Sequence, residues 1–135
     1  MKYLTALCTV VLAFALTAYA GDAKPRTLKG YVVDQMCAGK MAMKENAMEK
    51  AEGHTKDCAL DDHCSASGYG IFSGGKYYKF DENGSKTAKA LIEKTKREKG
   101  LYFAATGTVG DDGSMTVTSL KEASAPWGKM MKKGT

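Results

Sequence analysis

The sequence predicts a small, mainly β domain in which five strands form a barrel and a helical insertion follows the first strand. Three observations lead to this prediction. Short segments rich in β-branched and aromatic residues alternate with glycine-containing turns. One amphipathic segment separates the third strand from the fourth, and a stretch rich in Ala, Met, Lys and Glu follows the first.

The first strand is predicted at 27–34, because TLKGYVVD is rich in residues that favour extended structure. Gly30 inside this strand indicates a bulge or a bend. From 39 to 62 the composition favours helix, and Gly53 is expected to divide this stretch into two short helices. The complete insertion spans about 38–66.

The second and third strands are predicted at 69–72 and 76–80, joined by a glycine pair that supplies the positive φ of a tight hairpin. A DENG turn follows. The clearest helix is predicted at 86–99, with Ser85 as its N-cap. Gly100 is expected to end it.

A last hairpin is predicted at 101–109 and 115–120, around the turn GDDG. The order strand, helical insertion, strand, strand, helix, strand, strand is the connectivity of the OB-fold, a five-stranded, partly open barrel. A small α+β sandwich of the same elements is the alternative. The sequence thus predicts one OB-like domain over 21–122 and a flexible basic tail over 123–135.

The first 20 residues have the three parts of a secretory signal peptide. A basic start precedes an apolar run, and the run closes on AYA, with small residues where a signal peptidase reads. We expect cleavage between Ala20 and Gly21, a periplasmic or secreted protein, and no stable membrane anchor after cleavage. Cleavage also removes Cys8.

The residues that carry chemistry crowd one window of the insertion. All three remaining cysteines and both histidines lie there: Cys37, His54, Cys58, His63 and Cys64. In an oxidising compartment, an odd number of thiols leaves one that is free, bonded to another chain or bound to metal. Seven acidic residues and four lysines lie between residues 34 and 64, and the acidic surroundings at Asp57, Asp61 and Asp62 would favour capture of a cation.

Two interpretations of this window are open. In one, Cys37, Cys58, Cys64 and His54 form a tetrahedral site for a thiophilic ion such as zinc or copper. His63 is the alternate ligand. In the other, Cys37 forms a disulfide with Cys58 or Cys64, which would stabilise the fold by about 3 kcal/mol through loop closure.

Methionine-assisted copper binding and redox catalysis are further alternatives. Four methionines lie in the same window: Met36, Met41, Met43 and Met48. Their thioethers would suit Cu(I), but methionines also commonly pack a helix face against a protein core. The chain has no CxxC pair and no phosphate-loop, GxSxG or HExxH motif. We therefore expect no catalytic residues.

Single-stranded nucleic acid is one candidate partner, because OB-fold surfaces bind it. The segment 86–99 also contains six basic and two acidic residues. A solvated helix face explains this charge equally well. Export argues against nucleic acid, so we expect a small ligand or another protein as the partner.

The segments GYVVDQMC, HTKDCALDDHC, SGYGIF, GKYYKF and TGTVGDDGSMTVTSL resemble those of a loose group of small secreted bacterial proteins with OB-like barrels. The resemblance spans about 27–122 and implies a fold and a location, but no activity. The sequence therefore predicts an exported, non-enzymatic protein that binds zinc or copper through its Cys/His insertion. The alternative is a disulfide-stabilised periplasmic interaction module without metal.

Overall fold

The computed structural model describes residues 24–126, and five strands in this range form a closed barrel. The strands are β1 (Arg26–Asp34), β2 (Tyr69–Ser73), β3 (Lys76–Phe80), β4 (Tyr102–Val109) and β5 (Ser114–Glu122). Their order around the barrel is β1-β2-β3-β5-β4, and β4 pairs back with β1. Only the β3–β5 pair is parallel among the pairings of these five strands. The predicted OB-like barrel is confirmed.

Four short helices follow β1, and a longer helix connects β3 to β4. They are α1 (Gln35–Met41), α2 (Ala47–Glu52), α3 (Lys56–Leu60), α4 (Asp62–Ala66) and α5 (Glu82–Lys94). Within the described range, none of the helices has the length and apolar character needed to cross a membrane. The predicted signal peptide and most of the predicted tail lie outside the described residues.

The insertion contains four helices where the sequence predicted two. The predicted break at Gly53 is present, since this residue is the C-cap of α2. Two further breaks are present, at 42–46 between α1 and α2 and at Asp61 between α3 and α4. The side chains of Thr55, at the predicted break, and of Asp61 accept hydrogen bonds from backbone N–H groups of the helices that follow them. Side-chain acceptors of this kind compete with continued helix and start a new one.

Helix α5 begins earlier than the predicted range 86–99. Its N-cap is Asp81, whose Oδ1 accepts a hydrogen bond from the Gly84 N–H at 3.1 Å. The segment predicted as a turn is therefore the first turn of the helix. Ser85 is not the cap, because its hydroxyl instead accepts a hydrogen bond from the Tyr69 N–H at 3.0 Å and so binds α5 to β2.

The same helix also ends earlier than predicted. Thr95 is buried and extended, so α5 stops at Lys94 and Gly100 lies well beyond its end. The Lys56 ammonium donates a hydrogen bond to the Thr95 carbonyl at 2.9 Å, and the Lys56 N–H donates to the Glu98 carbonyl at 2.8 Å. The segment after α5 thus holds α3 in place instead of extending the helix.

Two buried clusters lie on opposite sides of β1. The first includes residues from every strand and from α5, which places it inside the barrel; Val32 is its member from β1. The second contains Tyr31 and Val33 together with residues of α1 and α2. Successive residues of a strand face opposite ways, so β1 is buried on both faces at its C-terminal end. Its last residue, Asp34, is completely buried.

Gly30 marks a close approach of two backbones. A Cβ atom at this position would overlap the carbonyl oxygen of Phe72 in the paired strand β2. The glycine in β1 is therefore required by packing, since any side chain would push the two strands apart.

We predict that Gly30→Ala lowers the free energy of unfolding by about 1–3 kcal/mol, because the added methyl group cannot be accommodated without moving backbone. Gly39→Ala in α1 is the matched control, since no atom lies within 4 Å of its Cβ position. It should raise stability by about 0.5–1 kcal/mol through helix propensity. Urea unfolding measures both, and equal effects would contradict the packing argument.

Candidate metal centre

Three short helices each carry a cysteine at the same position. In α1, α3 and α4 the cysteine is the third helical residue after the N-cap. The pairs of cap and cysteine are Asp34 and Cys37, Thr55 and Cys58, and Asp61 and Cys64. The Cys37 N–H donates to Asp34 Oδ1 at 2.8 Å, and the Cys58 N–H donates to Thr55 Oγ1 at 3.2 Å. Capping therefore orients the first turn that holds each of these two thiols.

The three thiols converge on one point. The Sγ atom of Cys37 lies 3.8 Å from that of Cys58 and 3.9 Å from that of Cys64. With a carboxylate oxygen of Asp34 they form a group of four ligand atoms that all lie within 4.8 Å of one another. All three cysteines are free thiols, since a disulfide would bring two sulfurs to about 2.05 Å. This group, called the thiol cluster below, can hold a metal ion.

Hydrogen bonds between the elements hold the thiol cluster together. The Met36 N–H of α1 donates to the Ser67 hydroxyl, directly after α4, at 3.1 Å. The Tyr69 hydroxyl of β2 donates to the Ala59 carbonyl of α3 at 2.6 Å in a buried position. Burial and, secondarily, the charge of Asp34 raise the pKa of Tyr69 to about 12, so it remains a donor at neutral pH.

The structure places His54, which the sequence predicted as a ligand, against Asp34. Its Nε2 lies 3.1 Å from Asp34 Oδ2, and the two side chains are only 4% and 0% exposed. Burial acts to raise the pKa of Asp34, but His54 and the Cys37 N–H outweigh it and hold the pKa below its usual range. Asp34 is therefore ionised at neutral pH. Within residues 24–126, Asp34 Oδ2 and both ring nitrogens of His54 lack a hydrogen bond of good geometry, although Nε2 and Oδ2 lie only 3.1 Å apart.

The thiols at Cys37 and Cys64 are protonated at neutral pH. Burial raises the pKa of both, and the negative charge of Asp34 raises it further. Metals bind the thiolate, so an ion entering the cluster must displace these protons. A bound cation would supply the positive charge that stabilises a buried thiolate.

The cluster borders a cavity of about 580 Å³, and Cys37, Cys58 and His54 form part of its lining. We call it the thiol cavity. Cys64 is buried and does not line it. His63 is exposed, and it belongs neither to the lining nor to the four residues of the thiol cluster.

Sequence reasoning did not identify Asp34 as a member of the cluster. The sequence does contain a pattern that could have identified it. At 34–37, 55–58 and 61–64 a residue that commonly caps helices is followed, three positions later, by a cysteine. This repeat indicates three helix starts that each carry a thiol. The first of these caps is also the carboxylate that meets the sulfurs.

Comparison with known proteins found no matching family model, no matching curated protein and no matching solved structure. Function must therefore be inferred from the thiol cluster itself.

Proposed function

We propose that this chain is an exported, non-enzymatic zinc-binding protein whose ligands are Cys37, Cys58, Cys64 and Asp34. The observation that carries the proposal is the spacing of the sulfurs, 3.8 Å and 3.9 Å. Zn–S bonds of about 2.3 Å in a tetrahedron place two sulfurs about 3.8 Å apart. Export is inferred from the signal-like residues 1–20.

The donor set favours zinc over copper. Three thiolates suit both Zn²⁺ and Cu(I), but the carboxylate of Asp34 suits Zn²⁺ and is a poor match for the softer Cu(I). His54, 3.1 Å from the other side of this carboxylate, resembles the outer partners that orient metal ligands in many sites.

The number of protein ligands favours binding over catalysis. Catalytic zinc sites keep one position open for water or substrate, whereas structural and storage sites are filled by the protein. Four protein donors within 4.8 Å of one another match the closed type.

The rival hypothesis is a disulfide-stabilised interaction module without metal. Cys37 lies almost equally close to Cys58 and Cys64, so oxidation would pair it with one of them and leave the third thiol free. The two hypotheses therefore differ in metal content and in the number of free thiols.

The test uses the full chain purified after export from a bacterial host, with metal and thiols quantified in one sample. We expect about one zinc per chain, and three thiols that react with an alkylating reagent only after zinc is removed. One free thiol and no metal would establish the disulfide module. Copper in place of zinc would overturn the assignment of the metal.

We predict that Cys58→Ser lowers zinc affinity by at least about a hundredfold, because even an outer partner of a zinc ligand contributes about 10–100-fold. His63→Ala, which changes an exposed residue next to Cys64, should leave the affinity unchanged. Competition with a fluorescent zinc chelator measures both. An equal loss of affinity in the two variants would indicate that His63 contributes to zinc binding, against the proposed ligand set.

We predict that Asp34→Asn lowers zinc affinity by about 10–100-fold without unfolding the protein. Asparagine is as good an N-cap as aspartate, so the hydrogen bond from the Cys37 N–H is retained while the charge is lost. Asp34→Ala, which removes both, should also destabilise the metal-free protein by about 1 kcal/mol or more. Unchanged zinc affinity in Asp34→Asn would show that the carboxylate is not a ligand.

A further inference from the structure

The thiol cavity is the open side of the thiol cluster. Asp34 and Cys64 are buried, whereas Cys37 and Cys58 are partly exposed and line the cavity. A metal that reaches or leaves the cluster must therefore pass the side on which these two thiols lie.

Three lysines line this cavity, and no acidic residue does. Lys40 belongs to α1, Lys44 follows it, and Lys50 belongs to α2; all three are exposed. Among the described residues, none of them forms an ion pair with an acidic side chain. We call these three residues the lysine rim.

The rim reverses the expectation drawn from the composition of this segment. Between residues 34 and 64 the chain has seven acidic residues and four lysines, which suggested an acidic environment that attracts cations. Three of the four lysines line the cavity, and none of the seven acids does. Charges that line a cavity raise the local concentration of ions of opposite sign, so the three lysines favour anions over free Zn²⁺ at the exposed edge of this cavity.

A residue with an unpartnered buried polar atom also lines the cavity. His54 lines it and is 5% exposed, and its Nδ1 has no hydrogen-bond partner within residues 24–126. A buried polar group of this kind is costly while it has no hydrogen-bond partner.

We propose that zinc reaches the thiol cluster through this cavity as an anionic complex with a small carboxylate-bearing chelator. This inference rests on the proposed zinc site. Zinc–chelator bonds break as bonds form to the three sulfurs and to Asp34. The thiol protons pass to the released chelator or to water, and no electrons are transferred. The lysine rim binds the carboxylates before and during the exchange.

The test follows zinc loading of the full, metal-free chain by stopped flow, from zinc nitrilotriacetate, which is an anion, and from zinc sulfate. Lys40, Lys44 and Lys50 are changed together to Gln. The control changes Lys89, Lys94 and Lys96 to Gln, because these exposed lysines remove the same charge and do not line the cavity.

We expect the rim variant to load from the anionic chelate more slowly by on the order of tenfold. It should load from zinc sulfate at least as fast as the unmodified protein. Added salt should slow chelate loading of the unmodified protein, and the control should change less than about twofold. All variants should still bind one zinc.

Two outcomes would overturn the inference while leaving the zinc site intact. One is an equal slowing in the rim variant and the control. The other is a loading rate independent of protein concentration, because zinc would then arrive only after the chelate dissociates. If the unmodified protein retains no zinc from either source, the proposed function itself fails.

Discussion

The carboxylate of Asp34 lies where the barrel meets the insertion. Because β1 is buried on both faces, its last residue is enclosed, and a buried charge is costly unless it is neutralised or hydrogen-bonded. Asp34 accepts a hydrogen bond from the Cys37 N–H on one oxygen, and His54 Nε2 lies 3.1 Å from the other. The contacts that stabilise the charge also start α1 and fix the position of His54.

The insertion depends on this junction because its helices are too short to be stable alone. They contain five to seven residues, whereas isolated helices shorter than about 12 residues are marginal in water. Capping, packing on β1 and hydrogen bonds to β2 and to the segment after α5 hold them in place. A metal bound to ligands from α1, α3, α4 and the end of β1 would cross-link these elements directly. Binding and ordering of the insertion should therefore be coupled.

Much of the fold could be predicted from the sequence, because alternation, glycine turns and strand order are local signals. The boundaries of α5 could not, since Ser85 is used by the backbone of Tyr69 and Thr95 is extended and buried. Both facts depend on contacts between distant segments. Both ends of α5 therefore differ from the prediction, whereas the order of the elements agrees with it.

Only part of the candidate cluster could be recognised from the sequence, for a similar reason. The three cysteines could be recognised by residue type, and the structure brings them together. Asp34 could not be recognised in that way, because an aspartate after a strand is usually a cap or a turn residue, and here it is a cap as well. The position of the lysines around the cavity could not be predicted either, since composition gives the net charge of a segment and not the face on which each charge lies.

X-ray absorption at the zinc edge of the purified protein tests the central claim most directly. The proposed site predicts three sulfurs at about 2.3 Å and one oxygen at about 2.0–2.2 Å, without the scattering signature of an imidazole. An imidazole in the shell would place a histidine on the metal instead of Asp34. Four sulfurs, or a shell of oxygen and nitrogen alone, would contradict a zinc site built from these three thiols and this carboxylate.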